Sequence, residues 1–194
     1  MLMRTVKMNI TSRIILLSLL SLLFAGACQI FTGGPKPPEE KIPVSETEAQ
    51  TVLNTWESIF SSDQSGLVSI TLTEAQVTSA IDRYFSTQET PFMTEPQVYL
   101  RDGKIDLYGK ISQGLLSANV RLTLSATIDD KGKPELNIID ADFGPLPMPD
   151  SLLNAASKLI DESVTGMIGP MITKFKAETI DINNGLLIIS GRKY

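Results

Sequence analysis

The stretch from Gly144 to Phe175, GPLPMPDSLLNAASKLIDESVTGMIGPMITKF, constrains the fold more than any other. Three alternating prolines, Pro145, Pro147 and Pro149, open it, and Asp150 stands where a helix N-cap belongs, its carboxylate able to accept from the free N–H groups of a first turn. From Leu152 onward the apolar residues Ala156, Leu159, Ile160, Val164, Met167, Ile168, Met171, Ile172 and Phe175 follow at steps of mostly three or four. That spacing lays one broad apolar stripe along a helix. About 24 residues at about 1.5 Å each make a rod of roughly 36 Å. Gly166, Gly169 and Pro170 predict a kink near its second half.

Most of the remaining periodic sequence has period two. Gln97–Arg101 and Lys104–Ser112 flank Asp102-Gly103, a hairpin signal because a type I′ turn needs positive φ at both central residues. Residues 117–129 alternate most cleanly: Val120, Leu122, Leu124, Ala126 and Ile128 on one face, Asn119, Arg121, Thr123, Ser125 and Thr127 on the other. Glu135–Phe143 returns after a turn at Asp130–Lys133. Glu178–Ile182 and Leu186–Ser190 flank Asn183-Asn184-Gly185, a last hairpin. Before these, Ser45-x-x-Glu48 and Thr73-x-x-Gln76 read as capping boxes that start two shorter helices, with Val52, Trp56, Ile59 and Phe60 inward on the first and Val77, Ala80, Ile81, Tyr84 and Phe85 inward on the second. A short strand, Leu67–Leu72, lies between them. Alternation implies one buried sheet face and one wet face. The expected class is α+β: a coiled antiparallel sheet wrapped around one long C-terminal helix, with two shorter N-terminal helices.

The N-terminus carries a different signal. Residues 1–13 hold Arg4, Lys7 and Arg13 and no acid, and Ile14–Phe24 is an apolar run of eleven, too short to span about 30 Å of hydrocarbon as a helix. It has the size of a signal-peptide core. Ala25-Gly26-Ala27-Cys28 follows at once and resembles the lipobox of bacterial lipoproteins, in which the cysteine is acylated and becomes the new N-terminus. Ala25 departs from the commoner leucine. The alternatives are an ordinary cleaved signal with an incidental cysteine, or an uncleaved anchor. The expected division is a lipoprotein signal peptide at 1–27, a lipidated Cys28 with a Pro-rich tether at 28–44, and a single domain at 45–194. The resemblance implies an extracytoplasmic protein held to a bacterial membrane by Cys28, where a diacylglyceryl group supplies the two chains that stable anchoring needs.

Composition narrows the chemistry. Of 17 basic residues three precede Cys28, leaving 14 against 22 acids, a net charge of −8 for the remainder. Such a surface argues against nucleic acid. Histidine is absent and Cys28 is the sole cysteine, so Ser-His-Asp, Cys-His and His-metal sites cannot form. Asp140 with Asp142, and Asp129 with Asp130, are the remaining carboxylate pairs, and on a wet strand face such acids are ordinarily just solvated. The reading is non-enzymatic, with no cofactor and no metal.

Three phrases carry a further resemblance: Leu72-Thr73-Glu74-Ala75-Gln76, Ile105-Asp106-Leu107-Tyr108-Gly109, and Gly144-Pro145-Leu146-Pro147-Met148-Pro149. In this order they resemble the YpmS-like and LmeA-like bacterial extracytoplasmic proteins, over about residues 66–192. The resemblance implies a TULIP-like fold, in which a coiled sheet wraps a long helix and a lipid chain lies between them, and it identifies no catalytic residue. The expected lining comprises Ile105, Leu107, Val120, Leu122 and Leu124 from the sheet, and Leu152, Ile160, Val164, Met167 and Met171 from the helix. Two readings stand side by side. One is a lipid-binding lipoprotein, acting in lipid transfer or envelope maintenance. The other is an interaction lipoprotein whose apolar residues fill one another's space and whose outer surface meets an envelope protein.

Overall fold

The computed structural model describes residues 30–61, 65–145, 157 and 174–194. In chain order its elements are β1 (Ile30–Phe31), α1 (Glu46–Ser61), β2 (Gly66–Thr73), α2 (Glu74–Ser86), β3 (Thr94–Arg101), β4 (Lys104–Gln113), β5 (Leu116–Ile128), β6 (Pro134–Asp142), β7 (Phe175–Asn183) and β8 (Leu186–Lys193). The strands form two sheets. One runs β1-β5-β4-β3, with β6 also on β5; the other runs β2-β8-β7. All pairings are antiparallel except the two-residue β1, which lies parallel to β5.

This architecture corrects the expected one. The described residues do not build a single sheet around a long C-terminal helix. They are mostly strand, in two sheets with two short helices, and the chain ends in strands β7 and β8. Two physical reasons separate expectation from structure. First, β2 pairs along its whole length with β8 instead of joining the meander, from Gly66 opposite Lys193 to Thr73 opposite Leu186. Second, α2, 13 residues or about 20 Å of helix, packs on the edge strand β3, and its Val77, Ile81, Tyr84 and Phe85 join the apolar cluster that Val98, Leu100, Ile105, Leu107, Val120 and Leu122 form on that sheet face. Of the stretch expected as the long helix, residues 150–156 and 158–173 lie outside the described residues, and Phe175, expected on its apolar stripe, begins β7 instead.

Both hairpin turns form as their residue types demand. Asp102 and Gly103 have φ of 51° and 72°, and Asn184 and Gly185 have 50° and 78°. The two turns then clasp one another across the sheets: Gly103 N–H donates to the Ile182 carbonyl at 2.9 Å, and Gly185 N–H to the Leu100 carbonyl at 3.0 Å.

The capping box at α2 is complete. Thr73 Oγ1 accepts from Gln76 N–H at 3.2 Å, and Gln76 Oε1 accepts from Thr73 N–H at 3.0 Å. At α1 the expected box is only half made: Ser45 Oγ accepts from Thr47 N–H, while the Ser45 N–H donates to Ser79 Oγ on α2 instead of to Glu48. That bond ties the start of one helix to the flank of the other.

Three clusters make the core. The largest lies between α2 and the five-stranded sheet; a second joins Val52 and Trp56 of α1 to Ile70 and Leu72 of β2; a third gathers Phe175, Ala177 and Ile189. Gly109 faces inward with the apolar residues of β4, and a side chain there would collide with Met93, which fills the space at 1% exposure.

Candidate functional site

Five expected lining residues are described, and all lie in the large core cluster: Ile105 at 5% exposure, Leu107 at 8%, Val120 at 0%, Leu122 at 2% and Leu124 at 5%. They share that cluster with Phe85 of α2 and Ile182 of β7. Leu152, Ile160, Val164, Met167, Met171 and Cys28 lie outside the described residues. Beyond α2 the same apolar face continues to β6 and β7, where Leu136, Ile138, Ala141 and Ile180 are only partly buried.

The opposite face of the sheet carries a feature the sequence did not announce. Residues 31–45, which include most of the tether read from composition at 28–44, form a strap across it. The strap leaves β1 alongside β5, with Thr32 N–H donating to the Ser117 carbonyl at 2.8 Å and Asn119 N–H to the Gly33 carbonyl at 2.9 Å. Gly34, at φ 113°, lies so close that any side chain would strike the Asn119 carbonyl. The strap then passes over β4 and reaches β3. There the Gln97 amide imitates a strand, its Oε1 accepting from Ile42 N–H at 2.7 Å and its Nε2 donating to the Ile42 carbonyl at 3.1 Å. Tyr99 Oη donates to the Glu40 carbonyl at 2.9 Å. Prolines at 35, 37, 38 and 43 remove donors that this path would leave unpaired.

An open cleft of about 960 Å³ separates the strap from the sheet. Its strap side offers the apolar rings of Phe31, Pro37 and Pro38 and the side chain of Val44. Its floor offers Tyr108, Gln97 and Asn119, with Gly109 between them. The charges around it are balanced: Lys36, Lys41 and Lys110 against Glu39, Glu95 and Asp82. Lys110 Nζ donates to Glu95 Oε1 at 2.7 Å, and this bond holds the Glu95 carboxyl below its ordinary value. Tyr99 packs edge-on against Tyr108, ring centres 5.7 Å apart, and burial pushes its hydroxyl pKa up. A volume of this size suits a small molecule or the polar end of an amphiphile.

Three of the four carboxylates considered from sequence have structural partners. Asp140 Oδ2 accepts from Arg121 Nη2 at 2.7 Å. Asp129 Oδ1 accepts from the N–H groups of Lys131 and Lys133, which hold its carboxyl below the ordinary value. Asp142 Oδ1 accepts from Gly144 N–H. Among the described residues no three His, Cys, Asp or Glu gather as a metal site, and no helix is long and apolar enough to cross a membrane. No protein-family model matches the chain, and no curated protein matches it.

Proposed function

We propose that this protein is a lipid-anchored, non-enzymatic binding protein of a bacterial envelope, and that its ligand is a lipid or another long apolar molecule with a polar end. The supporting observation is the cleft beneath the strap. It opens beside β1, only two residues after Cys28 in the chain, so that a ligand leaving the bilayer meets it first. Apolar rings on one side and amide, phenol and ammonium groups on the other match an amphiphile: methylenes gain by leaving water, and the polar end keeps its hydrogen bonds.

The first test is native mass spectrometry of the protein released from membranes, followed by solvent extraction and lipid analysis. The reading expects a stoichiometric lipid. It also expects a photoactivatable phospholipid to crosslink within residues 36–44 or 108–119. An apo mass with no uptake of added phospholipid or fatty acid overturns it.

A second reading has its own observation. The described sheet residues expected to line a lipid tunnel are 0–8% exposed within the large core cluster, which favours a filled core and an interaction lipoprotein that meets an envelope protein through its outer surface. A lipid-free protein that pulls down a defined envelope partner at stoichiometric yield supports that reading.

A further inference from the structure

One end of the five-stranded sheet differs from the rest of the surface. The β4–β5 turn projects Leu115 at 60% exposure and Leu116 at 37%, and β1 adds Phe31 at 55%. The sheet sets all three at one end: β1 lies beside the first residues of β5, Ile30 opposite Leu116 and Phe31 opposite Ser117, so Phe31 stands on the Ser117 face and Leu116 on the other. Thr32 locks that register with both its N–H and its hydroxyl on the Ser117 carbonyl, at 2.8 and 3.0 Å. Large exposed apolar side chains on both faces of one sheet end mark a surface that leaves water in use.

The charge pattern agrees. The chain carries 22 acids, yet residues 30–35 and 111–120, the two stretches that form this end, contain no charged side chain at all. Gly114 turns the chain at φ 61° without a polar side chain. Removing charge and adding leucine and phenylalanine is what insertion into the headgroup and acyl boundary requires. The chain path supplies the occupant. Cys28 precedes Ile30 by two residues, and two extended residues reach at most about 7 Å.

We infer that this tip, Phe31 with Leu115 and Leu116, inserts into the bilayer surface beside the acylated cysteine and fixes the orientation of the domain on the membrane. The inference rests on the lipoprotein reading above. With Cys28 acylated, β1 cannot stand away from the lipid, and the tip residues lie at the depth where apolar side chains are favoured. The far end of β5, at the Asp129–Lys133 turn, is a dozen residues or roughly 40 Å distant and stays in water.

The test uses the mature acylated protein in phosphatidylcholine vesicles. Because acylation blocks Cys28, Leu115→Cys, Phe31→Cys and Asp130→Cys each provide a single free thiol for an environment-sensitive fluorophore. The expected result is a blue-shifted emission at 115 and 31, quenched at least about fivefold more by lipid-borne nitroxide than the label at 130. Intact mass reads the acyl group independently. An acylated protein that floats with vesicles while all three labels stay aqueous overturns the tip and leaves the anchor. An unacylated Cys28 with aqueous labels overturns both. A shielded label at 115 that lipid nitroxide does not quench overturns membrane insertion in favour of a contact between protein copies.

Discussion

Glu74 and Thr78 stand one turn apart on α2, and the N–H groups of Val98 and Leu100 stand two residues apart on the edge strand β3. The two spacings match, at about 6 Å on a helix and about 6.7 Å on a strand. Thr78 Oγ1 therefore accepts from Val98 N–H at 3.1 Å while Glu74 Oε1 accepts from Leu100 N–H at 2.8 Å. The outward donors of an exposed sheet edge, a template for unwanted pairing, are consumed by two side chains. Thr78 is fully buried, so Thr78→Val leaves a buried donor without a partner. The expected cost is about 1–3 kcal/mol, with Thr78→Ser losing much less. Urea denaturation of the two variants checks this, and equal losses would sink the hydrogen-bond account in favour of packing. The periodic apolar positions of α2 were legible in the sequence. Buried Thr78 and Ser79 were not, because their burial depends on which backbone donors a distant strand presents.

The strap is the element whose nature composition conceals. Four prolines and two glycines between residues 33 and 43 read as a spacer, and the local chain indeed has no stripe or alternation to bury. Its order comes from partners more than 50 residues away, Gln97 and Tyr99, which no local pattern encodes. By contrast, both hairpins and the Thr73 capping box were legible, since a turn or cap is specified by residues within reach of each other. The Tyr99 contact makes the strap sensitive to alkali. Burial raises the Tyr99 pKa above that of an ordinary tyrosine, so its contribution is complete below the unfolded tyrosine value and is lost as pH climbs through the folded one. An ionised Tyr99 can no longer donate to the Glu40 carbonyl. Absorbance titration of the four tyrosines is expected to show a late step that Tyr99→Phe deletes. A late step that persists in that variant would assign it to another tyrosine and refute the claim.

At the scale of the molecule the two sheets behave as one body. The hairpin clasp joins them, Ile182 of β7 belongs to the large core cluster, and Leu187 of β8 packs against all three. Trp56, the only tryptophan, is 6% exposed and stacked on Phe60 at 5.8 Å in the smaller cluster between α1 and β2. Its fluorescence thus reports a cluster distinct from the one that holds β4 and β5. In denaturant the fluorescence and far-UV circular dichroism transitions are expected to coincide, as one cooperative unit requires. A tryptophan change at clearly lower denaturant would show that α1 and the three-stranded sheet unfold alone. The division into two sheets was the least legible feature. Every strand but the short β1 could be found by its alternation, but the pairing of β2 with β8 joins residues more than 110 positions apart, and periodicity carries no address for a partner. The docked strap finally changes what the sixteen residues after Cys28 are for. Fully extended they would reach about 54 Å, whereas a sheet that begins at Ile30 leaves a leash of about 7 Å. The space such a domain can search shrinks several hundredfold, roughly as the cube of that length, and the concentration at which it meets anything within the remaining shell rises in proportion. With Cys28 acylated as proposed, a protein moored this closely samples the lipid surface intensively and the wider envelope hardly at all.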